Sequence, residues 1–155
     1  MMKRQAGFTM VELLVTVAIT GILMATAMPV YHTWQQRAYG SEAAIMIRQI
    51  LDAEILYYLE NDKFYPDIGD DLEIWHGHPP DHDNVTKVSN NLNIIVPTGH
   101  FLDYYISSYY DDDGVHSFHL SVSSLGQQFD IVEGVSYIAY KMDKDGNITV
   151  AEFPE

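Results

Sequence analysis

The chain of 155 residues has no cysteine, which excludes a disulfide framework, a thiolate metal site and a thiol nucleophile. An exported domain without disulfides draws its stability from its core, from a metal ion or from neighbouring molecules. Positive charge is scarce: 8 Lys+Arg stand against 22 Asp+Glu, a formal charge of −14. Such a chain repels phosphate backbones, so charge argues against a nucleic acid partner. The same acidity suits divalent cations. Repeats of solenoid period are missing, as are a nucleophile elbow and a glycine-rich phosphate loop, the usual marks of several enzyme classes. With 47% hydrophobic and 19% charged residues, the chain can fold as one domain, or as one domain with a membrane anchor.

What is present begins with an apolar run. From Phe8 to Tyr31 there are 24 residues whose only formal charge is Glu12. At ~1.5 Å per residue they cross ~30 Å of hydrocarbon. Glu12 is costly there, at ~2.5–3.5 kcal/mol for an acid at a helix centre and less near an end. Lys3 and Arg4 precede the run, and the positive-inside rule holds that end in the cytoplasm. A cleaved signal peptide would need a small-residue cleavage site after the run. "TAMPVYHTW" fits that poorly, and the helical pattern continues through it. A buried core helix would leave Lys3 and Arg4 without a role.

Past Pro29, "SEAAIMIRQILDAEILYYLEND" puts Ile47, Leu51, Ile55, Tyr58 and Leu59 on one stripe, with Arg48, Asp52 and Glu60 facing elsewhere. Gly40 could break the helix and Ser41 with Glu42 could cap a second one. The favoured reading is a single helix from near Phe8 to near Asn61, kinked at Pro29 where a backbone donor is lost. After "NDKFYPDIGDD" helical periodicity gives way to Asp, Gly, Pro, Asn and aromatics. "LNIIVP", "LDYYISSYY", "VHSFHLSVSS", "VSYIAYKM" and "NITVAEF" read as strands. "DDDG" (111–114) and "DKDG" (143–146) end in Asp-Gly, a hairpin signal. The predicted fold is α+β: a long N-terminal helix, its apolar half protruding and its amphipathic half packed on an antiparallel sheet of about four strands. In the tyrosine pairs at 57–58, 104–105 and 109–110, strand alternation would send one ring to the core and the other to the surface.

"KRQAGFTMVELLVTVAITGILMATAMPVY" resembles the N-terminus of type IV prepilins and of type II secretion pseudopilins. The resemblance is carried by a basic leader ending in Gly7, by Phe8, Thr9 and Glu12, and by an apolar helix containing Pro29. "YYLENDKFYPD" is similar to the segment where pilin helices run into the globular head. The distal part matches in architecture alone. The resemblance implies a leader peptide (1–7), a transmembrane or filament-core half-helix (8–31), an amphipathic half-helix (32–61) and a β-rich head (62–155). It implies that a prepilin peptidase cuts after Gly7 and that the new amine of Phe8 is methylated. The subunit would wait in the inner membrane with its N-terminus cytoplasmic. Inner-membrane assembly machinery would then build it into a helical homo-oligomer, an extracellular pilus or, for a pseudopilin, a periplasmic filament. The chain would be the peptidase's substrate and not itself an enzyme. The family reading pairs Glu12 with the Phe8 amine of an adjacent subunit, so that neither buried charge stands alone. The residue-level alternative is an acid at a helix N-terminus, worth ~0.3–1 kcal/mol. A membrane-anchored module that captures a metal or a secreted client is the rival class.

No cofactor is required by this reading, but calcium has candidate residues. "DKDGNITVAEF" resembles the second half of an EF-hand loop, with Asp143, Asp145, Gly146 and then Glu152. Aligned on Gly146, the first ligand position falls on Lys141, a cation where an oxygen is needed. The alternative is turn chemistry, and the same choice applies to Asp111 and Asp113. Some pseudopilins carry a calcium site in the head, so the resemblance keeps Ca²⁺ open. His76, His78 and His82, with Asp81 and Asp83, have the donor types for zinc, copper or nickel, though no structural zinc spacing.

Overall fold

The computed structural model describes residues 8–98, 101–124, 130–131 and 134–151, with the backbone alone at 32, 36 and 151. The leader with Gly7, and Glu152, lie outside the described residues. The elements are α1 (Met10–Asn61), β1 (Asp71–Ile74), α2 (Asp83–Leu92), β2 (Leu102–Tyr110), β3 (His116–Ser124), β4 (Tyr137–Asp143) and β5 (Ile148–Ala151). The predicted single helix is therefore present. Two compact units divide between Gln35 and Gln36.

In the first unit the apolar side chains, among them Leu14, Ile22 and Met28, are exposed. By length and composition α1 is able to cross a membrane. Its threonines fit that setting, because their hydroxyls are satisfied inside the helix. Thr16 donates to the Leu13 carbonyl at 2.8 Å and Thr20 to that of Thr16 at 2.7 Å. Thr26 donates to Leu23 at 3.0 Å and Thr33 to Pro29 at 3.1 Å. In hydrocarbon each hydroxyl left without a partner would carry a desolvation penalty.

In the second unit Ala43, Met46, Ile47, Ile50 and Leu51 of α1 join one core with Leu102 and Ile106 of β2, Phe118, Leu120 and Val122 of β3, and Met142 of β4. The predicted stripe is correct at its start and wrong at its end: Ile55 and Tyr58 are half-buried and Leu59 is exposed. Steps of four residues gain ~40° each on a helix, so a line drawn from Ile47 to Leu59 rotates by roughly 120° out of the core. Gly40 does not break α1. A Cβ at Gly40 would sit far inside contact distance of the Ile131 carbonyl oxygen, so glycine lets that strand of chain approach the helix backbone. Gly40→Ala would gain ~1 kcal/mol of helix propensity, but overpacking against a backbone group costs ~1–3 kcal/mol. A net loss of about 1 kcal/mol is expected from urea unfolding midpoints, and a gain would show that the approach at Ile131 is not tight. α1 ends where Asp62 turns left-handed at φ 56°, its N–H donating to the Tyr58 carbonyl at 2.8 Å.

All strand pairings are antiparallel and sequential, in the order β1-β2-β3-β4-β5. That makes five strands where about four are expected. The additional one, β1, is an edge of four residues with Leu72 and Ile74 buried between exposed acids. Two corrections concern the stretch before β2. Residues 83–92 form α2, although helical periodicity was expected to end before it; Val85, Val88 and Leu92 are its buried face. "LNIIVP" is not a strand: Leu92 closes α2, and Asn93 turns left-handed at φ 54°. Only Val96 of the following residues is fully buried. The tyrosine expectation holds only in part on β2: Tyr104 is buried beside a half-buried Tyr105, and Tyr110 is exposed beside a half-buried Tyr109. It fails for Tyr57 and Tyr58, which lie on α1 and are both half-buried.

Candidate assembly site

The first turn of α1 closes on itself. The Thr9 N–H donates to Glu12 Oε2 at 2.8 Å, and Thr9 Oγ1 donates to the same oxygen at 2.7 Å. In return the Glu12 N–H donates to Thr9 Oγ1 at 3.3 Å. This is a capping box, in which a Thr and a Glu three residues on satisfy two backbone donors that no helical carbonyl can reach. Beside the charge pair that the resemblance implies, sequence reasoning credits Glu12 with the helix dipole and overlooks a cap. The reciprocal bonds are a larger reason for an acid here, since caps are worth ~0.5–2 kcal/mol. Phe8, immediately before the box, is 83% exposed. Pro29 lies within α1, and its ring nitrogen cannot donate to the carbonyl four residues back. Phe8, Thr9 and Glu12 are thus brought together at one helix end, with Pro29 five turns away.

The acidic turns show what their carboxylates do. Asp111 Oδ1 accepts from the Asp113 and Val115 amides at 3.2 and 2.8 Å, and its Oδ2 accepts from Lys141 Nζ at 3.1 Å. Asp143 repeats the arrangement: Oδ1 accepts from the Asp145 and Asn147 amides, each at 2.9 Å. Its Oδ2 accepts from the Asn147 side chain at 2.9 Å. The Val115 amide holds the Asp111 carboxyl below its ordinary range, and the Asn147 side chain does so for Asp143. Gly114 and Gly146 supply φ of 72° and 80°, which is turn chemistry in both hairpins. Asp113 and Asp145 are exposed. Among the described residues no group of three or more His, Asp or Glu is placed to hold a metal.

The histidines of the 76–82 loop close the loop. His76 Nδ1 lies 2.8 Å from Asp103 Oδ1, which also accepts the His76 amide at 2.6 Å. His78 Nδ1 accepts from the Trp75 amide and His82 Nδ1 from the Asn84 amide, each at 3.2 Å. The His78 and His82 rings stack with centroids 3.5 Å apart. Burial, then the charge that His82 would carry, pushes His78 below its ordinary value. His82 is the N-cap of α2, a role that sequence spacing alone does not reveal.

A capped apolar helix thus precedes an α+β head. Residues 2–28 match the family described as the prokaryotic N-terminal methylation motif. The chain is 42% identical over 60 residues to the type IV major pilin protein PilE1 of Neisseria gonorrhoeae, covering 39% of this chain and 36% of that one. It is 35% identical over 81 residues to the type IV major pilin protein PilA of Myxococcus xanthus, covering 52% and 34%. A fimbrial protein of Moraxella nonliquefaciens is 50% identical over 42 residues, 27% of each chain. The matches span about a third of the length of these relatives. No solved structure matches the chain significantly. Over this N-terminal part the chain is similar to type IV pilins in both motif and helix.

Proposed function

We propose that this chain is the structural subunit of a type IV pilus-like filament, built from a precursor by removal of residues 1–7. The observation that carries the reading is the methylation motif at residues 2–28, running into a single helix from Met10 to Asn61. In this reading the prepilin peptidase cuts between Gly7 and Phe8, and the Phe8 amine is methylated. The apolar half of α1 leaves the inner membrane for the filament core, and the head is displayed outside. The N-terminus faces the cytoplasm before assembly, as Lys3 and Arg4 direct. The chain is worked upon and performs no catalysis.

Glu12 gives up part of its cap to pair with the methylated amine of the neighbouring subunit, which sets axial register. Copies of the chain, the peptidase and the inner-membrane machinery are the partners. No cofactor is needed. A calcium ion at Asp111 and Asp113, or at Asp143 and Asp145, would have to compete with the turn amides that Asp111 and Asp143 already accept. Intact-mass and N-terminal fragment spectra of the mature chain test the proposal. A chain that begins at a singly methylated Phe8 is expected. A mature chain that keeps Met1, or starts at any other residue, refutes it.

A further inference from the structure

The face of the sheet turned away from α1 carries a cavity of about 220 Å³. Two cross-strand rows build it. One runs from Glu73 through Tyr105 and Ser121 to Ala139, and the other from Asp103 through Ser123 to Tyr137. Ser121 beside Tyr105 and Ser123 beside Tyr137 are small residues next to large ones, so they form a floor. Tyr105, Tyr137 and Trp75 line its sides, with the carboxylates of Glu73 and Asp103. Trp75 Nε1 donates to Glu73 Oε2 at 3.1 Å, which fixes that ring against its own strand. Asp103 is held by His76 at 2.8 Å, with its side chain 15% exposed.

Among the described residues the lining holds no lysine, arginine or amide side chain. Anions therefore find no cationic partner among these residues. Ring faces and carboxylates both favour positive charge, and the formal charge of −14 concentrates cations at the surface. A primary ammonium is strongly hydrated, and an exposed ion pair holds it weakly. A quaternary ammonium offers methyl groups to the rings while its charge faces the carboxylates. The cavity lies below the ~300–1,000 Å³ range of pockets that take drug-sized ligands, which suits a headgroup. We propose that this cavity binds a quaternary ammonium group of the choline type, borne by a free solute or by a lipid.

The test uses the full chain in a polyoxyethylene detergent, with Trp34→Phe leaving Trp75 as the sole tryptophan. Choline chloride, against sodium chloride at equal ionic strength, is expected to give a saturable change in Trp75 emission and a matching calorimetric isotherm. The neutral isostere 3,3-dimethylbutan-1-ol should bind about tenfold more weakly, as should choline to Glu73→Gln or Tyr137→Ala, while Tyr137→Phe retains binding. Choline binding with a saturable Trp75 response to dihexanoylphosphatidylcholine supports the lipid-borne source, and choline binding without that response supports the free one. No saturable response to choline overturns the proposal. So does equal affinity for the isostere, unchanged binding in both Glu73→Gln and Tyr137→Ala, or binding of galactose but not choline.

Discussion

Cells whose only copy of this chain carries Glu12→Gln should accumulate processed, membrane-inserted subunits and assemble almost no filaments. Glutamine keeps the side-chain oxygen that accepts from Thr9, so the capping box survives the change. What is lost is the charge. Leaving one member of a buried ion pair alone costs ~3–5 kcal/mol, which weakens a contact by ~100-fold or more. That contact recurs at each subunit, and the effect compounds along the filament. Thr9→Val supplies the opposite arm, because it removes the hydroxyl of the cap and leaves the carboxylate. It should cost ~0.5–2 kcal/mol of helix start and still permit filaments. Electron microscopy of sheared surface fractions reads both variants. If Glu12→Gln yields ordinary filaments and Thr9→Val yields none, Glu12 serves as a helix cap and the proposed charge pair is wrong.

The second large effect concerns the head. Glu54 of α1 is fully buried, with Oε2 accepting the Tyr65 amide at 3.1 Å and Oε1 without a hydrogen-bond partner among the described residues. Burial pushes its carboxyl from 4.5 up to about 8, and the Tyr65 bond offsets only part of this. The folded chain therefore holds a proton that the unfolded chain releases. Below pH 4.5 both states are protonated and Glu54 carries no ionisation penalty. Between pH 4.5 and about 8 stability falls as pH rises, and above that the penalty is constant. At pH 7 the loss is about 3 kcal/mol. Glu54→Gln removes it while keeping an oxygen for Tyr65. This variant should be the more stable by about that amount at pH 7, with the gap closing toward pH 5. Denaturant midpoints across pH 5–8 measure it, and two parallel lines would mean that Glu54 is not buried as described.

These two residues mark how far the sequence is legible. Glu12 can be read because its neighbours in the chain determine its setting: a leader before it, an apolar helix after it, and Thr9 three residues earlier. That Thr-x-x-Glu spelling is itself a cap signal, which attention to the dipole alone passes over. Glu54 is opaque, since an acid on a helix belongs on the solvent face until tertiary packing buries it and brings up the Tyr65 amide. Strands β2 to β5 announce themselves by aromatic and β-branched content. β1 has only four residues, two of them acidic, and it gains its conformation from the ladder with β2. α2 hides because Asn, Ser and Thr are poor helix formers. Its caps at His82 and Asn93 and three buried aliphatic residues make up for that. The cavity on the outer face is a product of register: no local pattern says that Ser121 will lie beside Tyr105 and Ser123 beside Tyr137.

The order of the sheet bears on how the head comes into being. A ribosome delivers the described elements in the order α1 to β5, and from β2 onward each strand pairs with the one made just before it. Among the described strands, only β1 must wait for a later one before it can pair. Beside the short, acidic edge of β1, one growing edge is open at a time, which limits the exposed template on which two nascent chains could stick together. A sheet of this kind can close by successive addition, and β5 sets the last edge in place.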